Sequence, residues 1–296
     1  MLLKSTMLLK THRALAPFYG TSSAFQNAKQ LSTYAEIARQ RRSLQGRVAV
    51  LTASTDGIGF AMAQRLALDG AHVVISSRTQ ENVDAALDKL KSQGFSASGI
   101  VCHAGVKEDR DKLIAKAVDE FGGFDILVSN VAVNPGGGGR LMTCNEDVWD
   151  KIFSINLKSS FFLAKEALPY MEKKGKASII FTSSIVGFVP NYAVEFLGAY
   201  AISKAALLAL SKLMAMELGP KGIRVNCIAP GLIETRFGAA AVKDERAQKI
   251  IKGLCPLERT GTSEEMAGLA SFLASDDSSY ITGANIVAAG GLHSSL

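Results

Sequence analysis

From Arg47 onward the chain alternates short runs of consecutive apolar residues with segments whose apolar residues recur at helical spacing. A strand that is apolar at successive positions must be covered on both faces, and helices packed on either side of a parallel sheet provide that cover. The runs at 48–52, 72–76, 100–103, 125–129, 177–183, 224–228 and 284–288 are the expected strands. The expected helices are 58–69, 81–92, 109–121, a single long one over 146–170, and 199–218. The pattern predicts an α/β fold: a doubly wound, parallel, seven-stranded sheet with helices on both faces. No repeat or internal linker divides residues 46–296, so they form a single domain, and the glycine run 136–139 is a local loop.

The first 45 residues differ in kind. Rich in Ser, Thr, Ala, Lys and Arg, they hold no acid before Glu36, the composition of a mitochondrial transit segment. They carry part of the formal net charge of +6 while the remainder is close to neutral, so the basic balance does not point to nucleic acid. The chain ends Ser294-Ser295-Leu296, where Ser295 lacks the middle positive charge of a peroxisomal Ser-Lys-Leu tripeptide. Mitochondria are therefore the expected address, ahead of peroxisomes or cytosol. No apolar run approaches the roughly 18 residues of a membrane span. Cys102, Cys144, Cys227 and Cys255 are dispersed, with neither a paired motif nor a Cys/His cluster, so neither disulfides nor a metal site are expected.

Thr52-Ala53-Ser54-Thr55-Asp56-Gly57-Ile58-Gly59 stands where the first strand turns into the first helix. Glycines there let the backbone approach a pyrophosphate, whose charge then lies at a helix N-terminus, as in a Rossmann dinucleotide site. An NAD site ends its second strand in an acid that binds the ribose hydroxyls. This chain has Ser76-Ser77-Arg78 instead, and a guanidinium suits the 2′-phosphate that a carboxylate would repel. NADPH is the expected cofactor.

Tyr200 and Lys204 are four residues apart on one helical face, so the ammonium can stabilise a phenolate. An apolar strand ending in Thr182-Ser183-Ser184 precedes them, and a serine at a strand's C-terminal end can bond a carbonyl oxygen in the crevice where such sheets take ligands. Arg236 to Pro256 reads as a helical lid, and Phe188, Val189, Phe196, Phe237 and Leu254 suggest an apolar pocket.

With these motifs in this order, joined by Ser129-Asn130-Val131-Ala132, Asn156-Leu157-Lys158 and Pro230-Gly231 with Thr235, the chain resembles the short-chain dehydrogenase/reductase family over about residues 46–291. The resemblance implies that Tyr200 protonates a carbonyl oxygen, Lys204 binds the nicotinamide ribose and activates Tyr200, and Ser184 holds the substrate oxygen. It assigns Asn156 to a proton-relaying water. Pro230, Gly231, Ile233 and Thr235 cradle the carboxamide, and Asn130 steadies the sheet beside the cofactor. It further implies a homotetramer or homodimer acting on a small carbonyl or alcohol. Ala53 stands where the family usually has glycine. The Ser184-to-Tyr200 interval is a few residues longer than usual, the excess lying within 191–198 beside the substrate, where Tyr192, Val194, Phe196 and Leu197 favour apolar ketones, diketones and retinal-like aldehydes. Reduction of 3-oxoacyl thioesters, steroid oxidoreduction and dinucleotide binding without catalysis are the rival readings.

Overall fold

Successive residues of Val48–Thr52 (β1) point to opposite faces, and both faces are packed. Val48 and Val50 enter one core with Leu113, Leu163, Ile179 and Leu207. Ala49 and Leu51 enter the other with Met62, Leu66, Ile75, Val128 and Leu273. That period of two, with apolar residues at both phases, makes this a sheet between two helical layers.

The computed structural model describes residues 43–135, 139–193 and 197–292. Residues 1–42 of the leader, Gly136 to Gly138, Val194, Glu195, Phe196 and residues 293–296 lie outside them. Within the unit Ser43–Leu296 the strands are β1, His72–Ser77 (β2), Ala97–Val101 (β3), Ile126–Ser129 (β4), Ala177–Thr182 (β5), Ile223–Pro230 (β6) and Asn285–Ala288 (β7). All pair in parallel, in the order β3-β2-β1-β4-β5-β6-β7. The expected fold class is what the chain adopts. The order reverses between β1 and β4, and the C-terminal ends of those strands open a crevice there.

The helices are Gly57–Leu68 (α1), Gln80–Ser92 (α2), Lys107–Phe121 (α3), Glu146–Phe153 (α4), Ser159–Glu172 (α5), Gly198–Leu218 (α6), Ala239–Lys243 (α7), Glu245–Leu254 (α8) and Ser263–Ala274 (α9). α3, α5 and α6 cover one face and α1 and α9 the other. α6 is long and apolar enough by composition to cross a membrane, but Leu207, Leu208 and Met214 pack it into the core.

Three expectations are corrected. β3 spans Ala97–Val101 rather than 100–103, because pairing begins at Val73↔Ala97 through residues too small to give a hydrophobic signal. Gly99 is needed there, since a Cβ would lie 2.8 Å from Val83 and 3.0 Å from Ile75. The long helix over 146–170 is interrupted by a π turn, Ser154–Lys158, where Ser159 and Ser160 donate their hydroxyls back to the carbonyls of Ile155 (2.6 Å) and Asn156 (3.1 Å). α9 is an additional element, begun by a capping box in which Thr262 and Glu265 satisfy each other's backbone N–H groups.

Candidate active site

Ser184 follows β5 and caps a 3-10 turn, Ile185–Gly187. That turn lies directly on the α6 backbone: a Cβ on Gly187 would stand 2.9 Å from the Lys204 carbonyl carbon. Ser183 donates to the Lys204 carbonyl at 2.7 Å and locks the same junction. Two residues sixteen apart in sequence, Ser184 and Tyr200, are thereby brought to hydrogen-bonding reach.

Tyr200 and Lys204 are both buried, at 7% and 1% exposure, so little bulk water dilutes their interaction. Burial pushes the Tyr200 phenol above its ordinary value, and the hydrogen bond with Ser184 pulls it back. Burial lowers Lys204 to about 8. Its Nζ donates to the Thr182 carbonyl at 2.7 Å and sits 5.5 Å from the centroid of the Tyr200 ring. A charged ammonium at that distance favours the phenolate. Tyr200 lies in an apolar cluster with Ile185, Val186, Val189 and Phe188, and the Phe237 ring is 6.0 Å away. Leu254 is exposed, and Phe196 is outside the described residues.

Asn156 stands in the π turn with no exposed surface. Its Oδ1 accepts from the Val133 N–H at 2.8 Å, and its Nδ2 donates to the Val133 carbonyl and the Ser203 hydroxyl, both at 3.1 Å. The side chain is occupied in holding the segment after β4 against α6. Its main-chain carbonyl accepts from the Ser160 hydroxyl at 3.1 Å, and a carbonyl oxygen with one bond keeps a lone pair for a second donor.

The glycine turn occupies the crevice between β1 and β4. Asp56 caps α1 by accepting from the Gly57 N–H at 2.8 Å. Gly57 has φ +52° and Ala53 has φ +48°. Gly59 admits no side chain, for its Cβ would meet the Ala53 carbonyl at 2.1 Å. The side chains of Thr52, Ser54 and Asn130 shape this turn: Thr52 accepts from the Asn130 N–H, Asn130 donates to the Ala53 carbonyl, and Ser54 bridges Leu51 and Ser76. Thr55 and Ile58 are partly buried, Ile58 against the α1 core. Ser77 closes β2, and Arg78 beyond it is exposed, with no acid in salt-bridge range among the described residues. From the other side of the crevice come Pro230, the last residue of β6, and Gly231, with Ile233 buried and Thr235 placed 3.2 Å from where a Gly57 Cβ would be.

A dinucleotide fits these residues. The open glycine backbone at a helix N-terminus suits a pyrophosphate, and His103, just past β3, keeps a buried Nδ1 without a partner. Sequence reasoning did not find the Thr182 carbonyl, Val133 or Ser203 as partners, since each enters through tertiary packing. Cys102 and Cys227 are pushed up to about 12 by burial, which makes them inert packing residues. Among the described residues no group of three or more His, Cys, Asp or Glu side chains is placed to hold a metal.

A family model described as enoyl-(acyl carrier protein) reductase matches residues 52–293. Dehydrogenase/reductase SDR family member 4 of Bos taurus is 51% identical over 257 residues, covering 87% of this chain and 91% of that one. This chain belongs to the short-chain dehydrogenase/reductase family. Human dehydrogenase/reductase SDR family member 2, mitochondrial, is 51% identical over 83% of this chain and 86% of its own. The solved structure of a 7α-hydroxysteroid dehydrogenase complexed with NADH and 7-oxo glycochenodeoxycholic acid superposes with a TM-score of 0.78 and 30% identity, covering 85% of this chain and 96% of that one. As a short-chain dehydrogenase/reductase, the protein is an oxidoreductase with a nicotinamide dinucleotide cofactor and a small-molecule substrate.

Proposed function

We propose that this short-chain dehydrogenase/reductase reduces apolar ketones and aldehydes with NADPH. The observation that carries the reading is the meeting of a partly buried Ser184 with the buried pair Tyr200 and Lys204, Tyr200 standing against an apolar wall, at the C-terminal end of the sheet. When bound, the nicotinamide supplies the hydride. Ser184 donates a hydrogen bond to the carbonyl oxygen, and the Tyr200 hydroxyl donates its proton to the same oxygen as charge develops there. Charged Lys204 offsets the phenolate left behind, while its bond to the Thr182 carbonyl fixes where that charge sits. Arg78, exposed at the end of β2 and with no acid in salt-bridge range among the described residues, supports the choice of NADPH, since a guanidinium suits a 2′-phosphate. Apolar walls contributed by Val189, Phe188 and Phe237 disfavour charged substrates, whose groups would be desolvated without partners.

The test is a screen of purified protein against diketones, aryl ketones, retinal, an acyl thioester and a keto-steroid, with NADPH and NADH in parallel. Activity with apolar ketones and NADPH is expected. A preference for thioester or steroid moves the substrate assignment, and no turnover with any of them rejects catalysis. Arg78→Ala should raise the KM for NADPH by roughly tenfold or more and leave that for NADH nearly unchanged. Equal effects would remove Arg78 from cofactor choice.

The protein is further proposed to be a mitochondrial homotetramer or homodimer. The acid-poor leader supports the address, and a C-terminal fluorescent fusion found in cytosol or peroxisomes would reject it. An apolar groove lined by Phe153, Leu157, Phe161, Leu210 and Leu213 supports self-association, and a monomer mass by light scattering would reject that.

A further inference from the structure

Three consecutive residues after β6 reach three different parts of the crevice. Thr235 places its Cγ2 against Gly57. Arg236 brings Nη2 within 3.1 Å of the Asp56 Oδ2. Phe237 approaches the Tyr200 ring. The turn that holds them is tight: Gly238 donates to the Thr235 hydroxyl at 3.0 Å, and a Cβ on Gly238 would collide with the Ile233 carbonyl at 2.6 Å. Residues 235–237 thus form a strap from the glycine turn to the catalytic tyrosine.

The ion pair in this strap does little for the fold. Its side chains are 78% and 56% exposed, and pairs so exposed are weak in water. Its position gives it another consequence. Asp56 is the N-cap of α1, with one oxygen on the Gly57 N–H, so it sets a negative charge at the helix end that would otherwise favour an anion. A pyrophosphate arriving at the glycine turn is opposed by that carboxylate. Arg236 offsets it through the second oxygen and keeps further N–H donors of its guanidinium free for the arriving anion.

We propose that Arg236 is a cofactor-binding residue: it neutralises Asp56 beside the pyrophosphate position and latches the 235–237 strap over the bound dinucleotide. The proposal rests on the reading that this crevice binds a dinucleotide. Because pyrophosphate is common to both nicotinamide cofactors, Arg236 sets affinity for each alike, whereas Arg78 discriminates between them. The latch must part for the dinucleotide to leave, so Arg236 also slows release.

Calorimetric titration of NADPH, NADH, ADP and 2′-AMP into wild type and variants tests this without turnover. Arg236→Ala should weaken NADPH, NADH and ADP in parallel by roughly five- to tenfold. It should leave 2′-AMP, which has no pyrophosphate, within about twofold of wild type. Arg236→Lys should retain most of the ADP affinity, and Asp56→Asn added to Arg236→Ala should restore part of the loss, since the uncompensated carboxylate is then gone. Ligand-free melting curves should coincide for wild type and Arg236→Ala. Unchanged ADP binding in Arg236→Ala overturns the latch, as does an equal loss of 2′-AMP binding. A wild-type protein that binds none of the dinucleotides overturns the cofactor reading and the latch with it, which separates the two failures.

Discussion

Tyr200 is asked to give up a proton from a buried position that resists charge, and its two neighbours answer that resistance differently. Ser184 stands beside the phenol and lowers the cost of ionising it, and Lys204 acts across 5.5 Å by its field. Tyr200→Phe keeps the ring and its packing but removes the proton, so kcat should fall by about a hundredfold to ten-thousandfold while dinucleotide Kd stays near wild type. Turnover near wild type would reassign the acid. Ala53 shows a different constraint. At φ +48° it occupies a left-handed conformation that costs an alanine about 1–2 kcal/mol. Ala53→Gly relieves that strain but adds freedom to the unfolded chain, which offsets about 0.5–1 kcal/mol of the gain. Denaturant unfolding should therefore show the variant more stable by up to about 1 kcal/mol. A loss of stability would mean that the Ala53 methyl makes a contact worth more than the strain.

At the scale of elements, the π turn Ser154–Lys158 connects the fold to the site. A regular helix through 146–170 would carry Asn156 on a different bearing, and Val133 would lose the side chain that satisfies both its N–H and its carbonyl. Asn156→Ala should cost roughly 2–4 kcal/mol by leaving these groups and the Ser203 hydroxyl without that partner. It should also lower kcat/KM more than it alters dinucleotide Kd, because the loop after β4 would shift beside the substrate. Unchanged thermal stability would rule out this account of Asn156. The hydrophobic period of 146–170 concealed the interruption, since a π turn changes the hydrogen-bond step without removing apolar residues. β3 begins earlier than its apolar run for a related reason: Ala97, Ser98 and Gly99 pair well and carry almost no hydrophobic signal. The start of α9, in contrast, was legible as Thr262-Ser263-Glu264-Glu265, a capping-box pattern that an apolar-period search passes over.

For the whole molecule, Lys204 links the fold to pH. Below about pH 8 it is charged whether the chain is folded or not, and the full cost of burying that charge is present. Between about 8 and the ordinary lysine value of 10.5 the unfolded chain holds a proton at Lys204 that the folded one has shed, so the contribution of Lys204 to stability rises with pH through that window. Lys204→Met abolishes this slope, and melting curves from pH 7 to 10 should show its advantage over wild type narrowing as pH rises. Reductive turnover should move the opposite way, falling as Lys204 loses its charge through pH 8. A flat profile for both would remove Lys204 from each role. By itself the sequence determined the layered α/β architecture, because apolar residues at both phases of a strand leave no other way to be buried. It also determined the chemical identity of the central pair, because Tyr200 and Lys204 lie one helical turn apart and need no tertiary information to share a face. Only the tertiary structure decided that Ser184 reaches Tyr200, that Asn156 turns inward to Val133, and that Arg236 crosses to Asp56. Those contacts join segments distant in the chain, and their geometry follows from strand order, a glycine-permitted close approach and the bearing of a π turn, none of which a one-dimensional pattern specifies.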